Sequence, residues 1–240
     1  MSYRDLISNT SFQRSIHKLD WFKHNGWGYK DTKLQLDSQG FVELTGTRYM
    51  ASGKRLPKAR EWMENTFQFN FKNTTPAQKE MPVDEPNLNQ EFLEELKGKV
   101  HEISLDPKVR VQHSHGHSLQ EIWEIRHGKL KRLADAVVFI NSHEQAEKLV
   151  ELAMKHNVVL IPYGGGTNVT QALMLNPEEK RMIVSVDVTR MNHVKWVDRK
   201  NMTACVEAGI IGVDLEKELA RYGVTCGHEP VALNTYFPII

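Results

Sequence analysis

From about residue 131 onward, hydrophobic and polar positions form blocks of strand length and helix length. Residues 136–140 and 158–162 are apolar runs of strand length, and the segment between them is apolar at helical intervals. Ser142 and Asn157 stand at its two ends, where they are typical of a helix N-cap and a left-handed C-cap. The pattern predicts a strand, a helix and a second strand parallel to the first, joined by a right-handed crossover.

More regular elements follow this unit. Residues 182–186 have the apolar pattern of a strand. Residues 193–197 and 203–207 flank a polar Asp-Arg-Lys-Asn turn, which predicts a hairpin. Residues 213–222 favour a helix that ends at Gly223. We therefore predict an α+β fold.

The first half of the chain has a less regular pattern. Residues 41–45 favour a short strand and residues 89–96 a short helix, while the proline-rich polar segment 72–86 predicts a loop. We therefore divide the chain into an irregular or helical N-terminal region, residues 1–130, and a second domain, residues 131–240.

Composition narrows the class of protein. The chain has 240 residues, and 31 basic against 30 acidic side chains give a formal net charge of +1. This balance argues against a nucleic-acid partner, because phosphate binding needs an excess of cations on one surface. Two cysteines exclude a disulfide framework and favour a reducing compartment. We expect no membrane-spanning segment and no secretory signal, because no sufficiently long apolar run is present.

Residues 163–168, Tyr-Gly-Gly-Gly-Thr-Asn, are called the glycine loop here and follow the second predicted strand directly. Adjacent glycines allow positive φ and leave no Cβ in the way of a ligand, so backbone N–H groups can form an anion nest. Thr167 and Asn168 add side-chain donors at the rim. The loop is neither a Walker A loop nor a G-x-G-x-x-G fingerprint. Its position favours a pyrophosphate cradle, and a flexible connection is the alternative.

Several short motifs carry a family resemblance. They are Asn-Gly-Trp-Gly-Tyr at 25–29, Glu-Leu-Thr-Gly at 43–46, His-Gly-His at 115–117, Trp-Val-Asp at 196–198, Val-Glu-Ala-Gly-Ile at 206–210 and Gly-His-Glu-Pro at 227–230. Together with residues 161–169, they resemble the alkyldihydroxyacetonephosphate synthase family of vanillyl-alcohol-oxidase (PCMH) type flavoproteins. The glycine loop is common to that whole superfamily, whereas the first and last motifs are far more specific.

The resemblance implies a partial FAD-binding domain and a transferase of ether-lipid biosynthesis. Such enzymes exchange the acyl group of acyl-dihydroxyacetone phosphate for a long-chain fatty alcohol, without net redox change. They are peroxisomal, and peripheral membrane contact and a homodimer are compatible with this class. The residues that match the family's FAD pyrophosphate loop are Pro162, Tyr163, Gly164, Gly165, Gly166, Thr167 and Asn168.

The C-terminal end departs from the family pattern. The family continues after Gly-His-Glu-Pro into a second FAD-binding segment, whereas this chain has only ten further residues. We therefore expect a C-terminally truncated form with incomplete flavin binding and no turnover by itself. Two alternatives stay open. One is an FAD-linked hydroxy-acid oxidase or dehydrogenase of the same superfamily, and the other is a non-catalytic product that binds the full-length subunit.

Histidines supply the remaining candidate chemistry. His113, His115 and His117 alternate and would share one face of a strand, a spacing that can suit a metal. No carboxylate or cysteine in the segment completes a ligand set, so we expect no metal and favour a loop near the flavin domain. His228 is a possible catalytic residue near the flavin or substrate. The alternative is a histidine held in a turn by its neighbours.

Two surface segments are candidates for contact with a lipid surface. Aromatic residues cluster at 21–29, and the run Lys-Arg-Leu-Pro-Lys-Ala-Arg at 54–60 is basic. A small core under loops and a solvated charged segment are the favoured interpretations. Cys205 is expected to be a small core residue, and residues 207–210 form either a tight turn or an approach for a flat ring.

Overall fold

A computed structural model describes residues 23–26, 28–47, 49–168 and 170–227. The strands in these ranges are β1 (Leu34–Leu36), β2 (Val42–Leu44), β3 (Arg55–Leu56), β4 (Glu102–Ser104), β5 (Ala136–Phe139), β6 (Val159–Tyr163), β7 (Ile183–Asp187), β8 (Val194–Asp198) and β9 (Thr203–Val206). The helices are α1 (Ala59–Phe67), α2 (Gln90–Leu96), α3 (Pro107–Gln112), α4 (Leu119–His127), α5 (His143–His156) and α6 (Gly212–Arg221).

The main sheet has four strands in the order β4-β5-β7-β6. Strands β5, β7 and β6 are parallel, and β4 pairs antiparallel with β5. The predicted β5-α5-β6 unit therefore has parallel strands, as expected. Its two strands are not neighbours, however, because β7 lies between them. The apolar pattern of a strand does not encode which neighbour it pairs with, so the sequence could not give this order.

The largest core lies between this sheet and two helices. Apolar residues of α2 and α5 pack against side chains of β5 and β7. The fully buried members are Phe92, Leu96, Ala136, Val138, Ile140, Leu149, Leu152 and Val184. Helix α2 therefore packs on the same sheet as α5, although it precedes the second predicted domain.

Side chains fix the ends of these helices as expected. The Ser142 hydroxyl accepts a hydrogen bond from the Gln145 backbone N–H at 3.3 Å, which begins α5. Asn157 ends the same helix with a φ of 55°. The Asn89 side chain accepts from Phe92 N at 3.0 Å and begins α2. The predictions of both helices are confirmed.

Asp135 connects the segment before the second predicted domain with the sheet. Its buried carboxylate accepts hydrogen bonds from Asn87 N and Ile183 N, each at 2.8 Å. Arg132 donates to both of its oxygens, at 2.9 and 2.6 Å. Strand β4, which belongs to the predicted N-terminal region, also pairs with β5. The boundary between residues 130 and 131 stays a prediction, but the sheet and its core draw on residues from both sides.

The remaining strands form two smaller sheets. Strands β1, β2 and β3 are antiparallel, and β8 and β9 form the predicted hairpin. Helix α6 packs on this hairpin through Leu215 and Leu219. Gly223 follows it with a φ of +70°, as predicted for a helix end.

Six elements lie where the sequence pattern indicated irregular structure. They are β1, β3, α1, β4, α3 and α4. Each is short, and α4 exposes Leu119 and Trp123, so the apolar stripe typical of a helix is weak there. Among the described residues, no helix is long and apolar enough to cross a membrane. Cys205 is half-buried and Cys226 exposed, and neither forms a disulfide with another described residue.

Candidate functional site

The glycine loop starts at the carboxyl end of β6, because Tyr163 is the last residue of that strand. In parallel α/β sheets, ligands bind beyond the carboxyl ends of the strands. Gly164, Gly165 and Thr167 are partly exposed there, whereas Tyr163 is buried. The middle of the loop is therefore accessible at the edge of the sheet where a ligand is expected.

Gly166 occupies a position that only glycine fits. Its φ is +66°, and an added Cβ would lie 2.3 Å from the Tyr163 hydroxyl oxygen. Asn168 is also left-handed, with a φ of 55°, a conformation that asparagine tolerates better than most residues. The backbone therefore curves sharply where it leaves the sheet. A curved, glycine-rich backbone of this kind fits a pyrophosphate, whose oxygens accept hydrogen bonds from backbone N–H groups.

A buried histidine–aspartate pair lies beneath the loop. His113 Nε2 is 2.8 Å from Asp187 Oδ2, and its Nδ1 is 2.8 Å from the Val109 carbonyl oxygen. The ring of His113 also packs against Tyr163, with 4.3 Å between centroids. Burial and the charge of Asp187 raise the pKa of Tyr163, so its phenol stays neutral.

Glu121, near the start of α4, holds the far end of the loop. Its Oε1 accepts from Asn168 Nδ2 at 2.6 Å and from Gly116 N at 2.8 Å. Its Oε2 accepts from the Ser118 hydroxyl at 2.7 Å and the Ser118 backbone N–H at 3.1 Å. Burial raises the pKa of Glu121, but these hydrogen bonds outweigh it and hold the pKa below its usual value. The carboxylate is therefore charged at neutral pH and ties the glycine loop to α4.

The side chain of Asn168 has a different role from the one expected. The sequence interpretation gave it a donor at the rim of the cradle. In the structure, Asn168 is buried, its amide donates to Glu121 and its oxygen accepts from Leu173 N at 2.7 Å. The side chain therefore holds the loop in place rather than facing a ligand. The loop residues that solvent reaches are Gly164, Gly165 and Thr167, each partly exposed.

The histidine segment lies directly against the glycine loop. His117 N donates to the Thr167 carbonyl at 3.3 Å. An added Cβ at Gly116 would lie 1.9 Å from Asn168 Cβ, so the two backbones approach closely here. The segment is a loop after α3 rather than a strand, and the described residues contain no cluster that could hold a metal ion. The histidine segment therefore forms a loop that packs near the flavin domain, as expected.

The sequence analysis did not identify Glu121 as a site residue, although the sequence contains a capping-box signal for it. Ser118 and Glu121 form a capping box, in which the serine side chain and the glutamate side chain each bond the other's backbone. The spacing Ser-x-x-Glu would have predicted the start of α4. The link to Asn168, 47 residues away in the chain, has no local signal.

Residues 207–210 form a tight turn, which favours the packing interpretation over an approach for a flat ring. An added Cβ at Gly209 would lie 1.8 Å from the Val188 carbonyl oxygen. Glu207 is buried and pairs with Lys195 at 2.6 Å and His193 at 2.8 Å. The small residue is therefore needed for contact between two backbone segments.

Two sets of candidate residues lie wholly or partly outside the described ranges. His228, the possible catalytic residue, is one, so that hypothesis stays a prediction. Trp21, Phe22 and Trp27 of the aromatic cluster are the other set. Tyr29 of that cluster is described and is buried.

Comparisons with known proteins agree with this architecture. A family model described as "FAD binding domain" matches residues 134–236. The chain is 40% identical over 235 residues to the alkyldihydroxyacetonephosphate synthase of Caenorhabditis elegans, covering 97% of this chain and 37% of that protein. The alkyldihydroxyacetonephosphate synthase of Dictyostelium discoideum is 37% identical over 228 residues, covering 87% of this chain and 36% of that protein.

A solved alkyldihydroxyacetonephosphate synthase structure has the same fold. The TM-score is 0.80 at 37% identity, covering 90% of this chain and 42% of that one. The expected α+β fold with a partial FAD-binding domain of the vanillyl-alcohol-oxidase type is confirmed. The chain spans slightly more than a third of the length of the curated relatives that it matches.

Proposed function

We propose that this chain, which is homologous over most of its length to the alkyldihydroxyacetonephosphate synthases, holds the FAD pyrophosphate of such an enzyme. The residues that would contact it are Gly164, Gly165 and Thr167 in the accessible middle of the loop, while Pro162, Tyr163, Gly166 and Asn168 set the course of the backbone on either side. The observation that carries the proposal is the glycine loop at the carboxyl end of β6, curved at Gly166 and anchored by Glu121. Bound FAD would supply a carrier for the group in transfer.

The proposed reaction replaces the acyl group of acyl-dihydroxyacetone phosphate with a long-chain fatty alcohol. The bond between the dihydroxyacetone carbon and the acyloxy oxygen is broken and the acyl group leaves as a fatty acid, while the alcohol oxygen loses its proton and forms the ether bond to that carbon. The support is the similarity to synthases of that name over 97% and 87% of this chain. In this reaction the role of the glycine loop is to hold the cofactor, and the hydrogen bond between Asn168 and Glu121 keeps the loop in place.

Peroxisomal localisation and a homodimer belong to the same proposal and stay predictions. Peripheral membrane contact has one supporting feature, the aromatic patch Trp62, Phe67 and Phe69. Each side chain is more than half exposed, and the rings of Trp62 and Phe67 are 5.1 Å apart. Lys58 directly precedes this helix. Aromatic rings beside a cation suit the interface of an anionic bilayer.

Vesicle sedimentation tests this membrane contact. We expect the wild-type chain to sediment with vesicles of phosphatidylserine and phosphatidylcholine, and the double variant Trp62→Ser/Phe69→Ser to stay in the supernatant. Trp196→Ser is the matched control, because Trp196 is exposed to nearly the same extent, 54% against 56% for Trp62. Equal sedimentation of the wild type and the double variant would remove the aromatic patch from the proposal.

The visible spectrum of the purified chain tests the proposed function. Because we expect this chain to bind flavin incompletely, we expect a flavin band of less than one FAD per chain to persist after the chain is mixed with excess FAD and desalted. A hydroxy acid such as glycolate or D-lactate, added without oxygen, should leave that band unchanged. Bleaching of the band would favour the hydroxy-acid oxidase alternative. A colourless protein that also fails to bind FAD in titration would overturn the proposal.

Alkyl transfer is assayed on the same sample. The expectation from the sequence is that this chain alone forms no ether product from acyl-dihydroxyacetone phosphate and a labelled fatty alcohol. Formation of the ether would contradict that expectation and support the transferase directly.

A further inference from the structure

One ring nitrogen of His115 has no hydrogen-bond partner within the part of the chain that the structure describes. The side chain is 95% buried, and Nδ1 lies 2.6 Å from the carbonyl oxygen of Gly116. Nε2 is buried and forms no hydrogen bond with the described residues. Buried polar atoms are nearly always satisfied in folded proteins, so a buried nitrogen without a partner requires an explanation.

The hydrogen bond of Nδ1 determines what Nε2 can accept. A carbonyl oxygen only accepts hydrogen bonds, so Nδ1 must carry the proton. Burial is the largest influence on the ring and lowers the pKa of His115 to about 4, so the ring is neutral at pH 7. In this tautomer Nε2 has a lone pair and no proton. The atom is an acceptor, and its missing partner is a donor.

The neighbouring charged groups agree with a neutral ring. His117 on the same loop and His113 at the end of α3 both disfavour a positive charge on His115, whereas Glu121 of α4 favours it. The carboxylate of Glu121 is already occupied by Gly116, Ser118 and Asn168. None of these groups supplies a donor to Nε2.

His115 lies beside the glycine loop. Gly116, the next residue, abuts Asn168, and His117 N bonds to the Thr167 carbonyl. A pyrophosphate on the loop carries no proton at pH 7, so it cannot donate to Nε2. The hydroxyl-bearing sugar groups on either side of the FAD pyrophosphate can.

We propose that Nε2 of His115 accepts a hydrogen bond from a hydroxyl group of the bound FAD, on the sugar portion next to the pyrophosphate. This inference rests on the proposed FAD-binding function. His115 is then a cofactor-binding residue that recognises a neutral donor, while the glycine loop recognises the anion. The pair of contacts distinguishes a dinucleotide from a bare phosphate.

Titration with two ligands tests the inference. His115→Leu removes the acceptor, whereas His115→Gln can present an amide oxygen near the position of Nε2. We expect the FAD dissociation constant to rise about 3- to 10-fold in His115→Leu and less in His115→Gln, the usual range for one neutral hydrogen bond. Inorganic pyrophosphate has no sugar, so its affinity, measured by competition with FAD, should be the same in all three proteins.

The outcomes separate this inference from the proposed function. If the wild type binds no FAD, both fail. If the wild type binds FAD and His115→Leu binds it equally well, only the inference fails. An equal loss of pyrophosphate and FAD affinity would mean a distorted loop and would also overturn it. Urea unfolding of each protein without FAD identifies a variant that does not fold.

A second measurement does not depend on a variant. In protein labelled with ¹⁵N-histidine, Nε2 of His115 should have the resonance of an unprotonated nitrogen at pH 7. That resonance should move when FAD is added and stay in place when pyrophosphate is added. A protonated Nε2, or equal responses to both ligands, would overturn the inference.

Discussion

At the scale of single residues, the candidate site depends on side chains that hold the glycine loop rather than on the loop alone. A hydrogen bond links the side chains of Glu121 and Asn168. Asn168 can lie this close to the histidine segment because Gly116 has no side chain. The sequence predicted the loop itself, because adjacent glycines after a strand have a local pattern. It could not predict the link, because the two side chains lie on different elements far apart in the chain.

Replacing Glu121 tests this link. In Glu121→Gln, one carboxylate oxygen is replaced by an NH₂ group. That group cannot accept hydrogen bonds, so two of the four that Glu121 accepts are lost, and the NH₂ group faces the N–H or O–H groups that donated them. We expect the FAD dissociation constant to rise about tenfold, the usual size for a lost bond to a charged group. Fluorescence titration of FAD measures it.

Glu124→Gln is the matched control for this variant. Glu124 lies one turn further along α4 and bonds only to exposed Gln120 through its side chain. We expect its FAD affinity to equal that of the wild type. Equal affinity of Glu121→Gln and the wild type would show that the loop does not need the carboxylate.

The depressed pKa of His115 predicts a pH-dependent stability. The folded state disfavours the charged ring, and the pKa lies at about 4 instead of the usual 6.5. Stability from this residue is therefore present above pH 6.5 and is lost as the pH falls toward 4. Between pH 7 and pH 4.5, the wild type should lose about 2 kcal/mol more than His115→Gln does.

Urea unfolding of the two proteins at both pH values measures this difference. His117 also has a pKa lowered by burial, but it is present in both proteins, so its contribution cancels in the comparison. The same loss in the wild type and in His115→Gln would contradict a buried neutral His115.

At the scale of elements, caps and pairing residues determine what the sequence predicted well. Ser142, Asn157 and Asn89 are local signals, and the helices that they delimit lie where predicted. The position of β7 between β5 and β6 was not predictable, because strand order depends on contacts between distant segments. Helix α1 was missed because none of its residues is buried, so no apolar stripe marks it.

Asp135 joins several elements at the amino end of the sheet, and its removal tests that role. Asp135→Ala leaves Arg132 and two backbone N–H groups without their acceptor. We expect a loss of about 3–5 kcal/mol in the free energy of unfolding, the range for one partner removed from a buried pair. Urea unfolding at pH 7 measures the loss.

Asp84→Ala is the corresponding control. The Asp84 carboxylate pairs with Lys129 at the surface, so we expect a change within about 0.5 kcal/mol. A comparable small loss in Asp135→Ala would mean that the buried carboxylate contributes little to the joining of these elements.

At the scale of the whole molecule, the site lies where a parallel sheet, a glycine loop and the N-terminal histidine segment meet. The family similarity extends over most of this chain and slightly more than a third of its curated relatives. The motifs quoted from the sequence, above all His-Gly-His and the glycine loop, come into contact in the structure. Their separation of about fifty residues explains why the sequence could name both but not their contact.

FAD titration of the wild type and two glycine variants tests the central claim most directly. Gly166→Ala would force a Cβ against Tyr163, whereas Gly98→Ala has a similar φ of +73° and open space around it. Both variants carry the cost of a left-handed alanine, about 1–2 kcal/mol. We predict that the wild type and Gly98→Ala bind FAD alike and that Gly166→Ala binds it at least tenfold more weakly. No FAD binding by the wild type, or equal binding by all three proteins, would contradict a pyrophosphate site in the glycine loop.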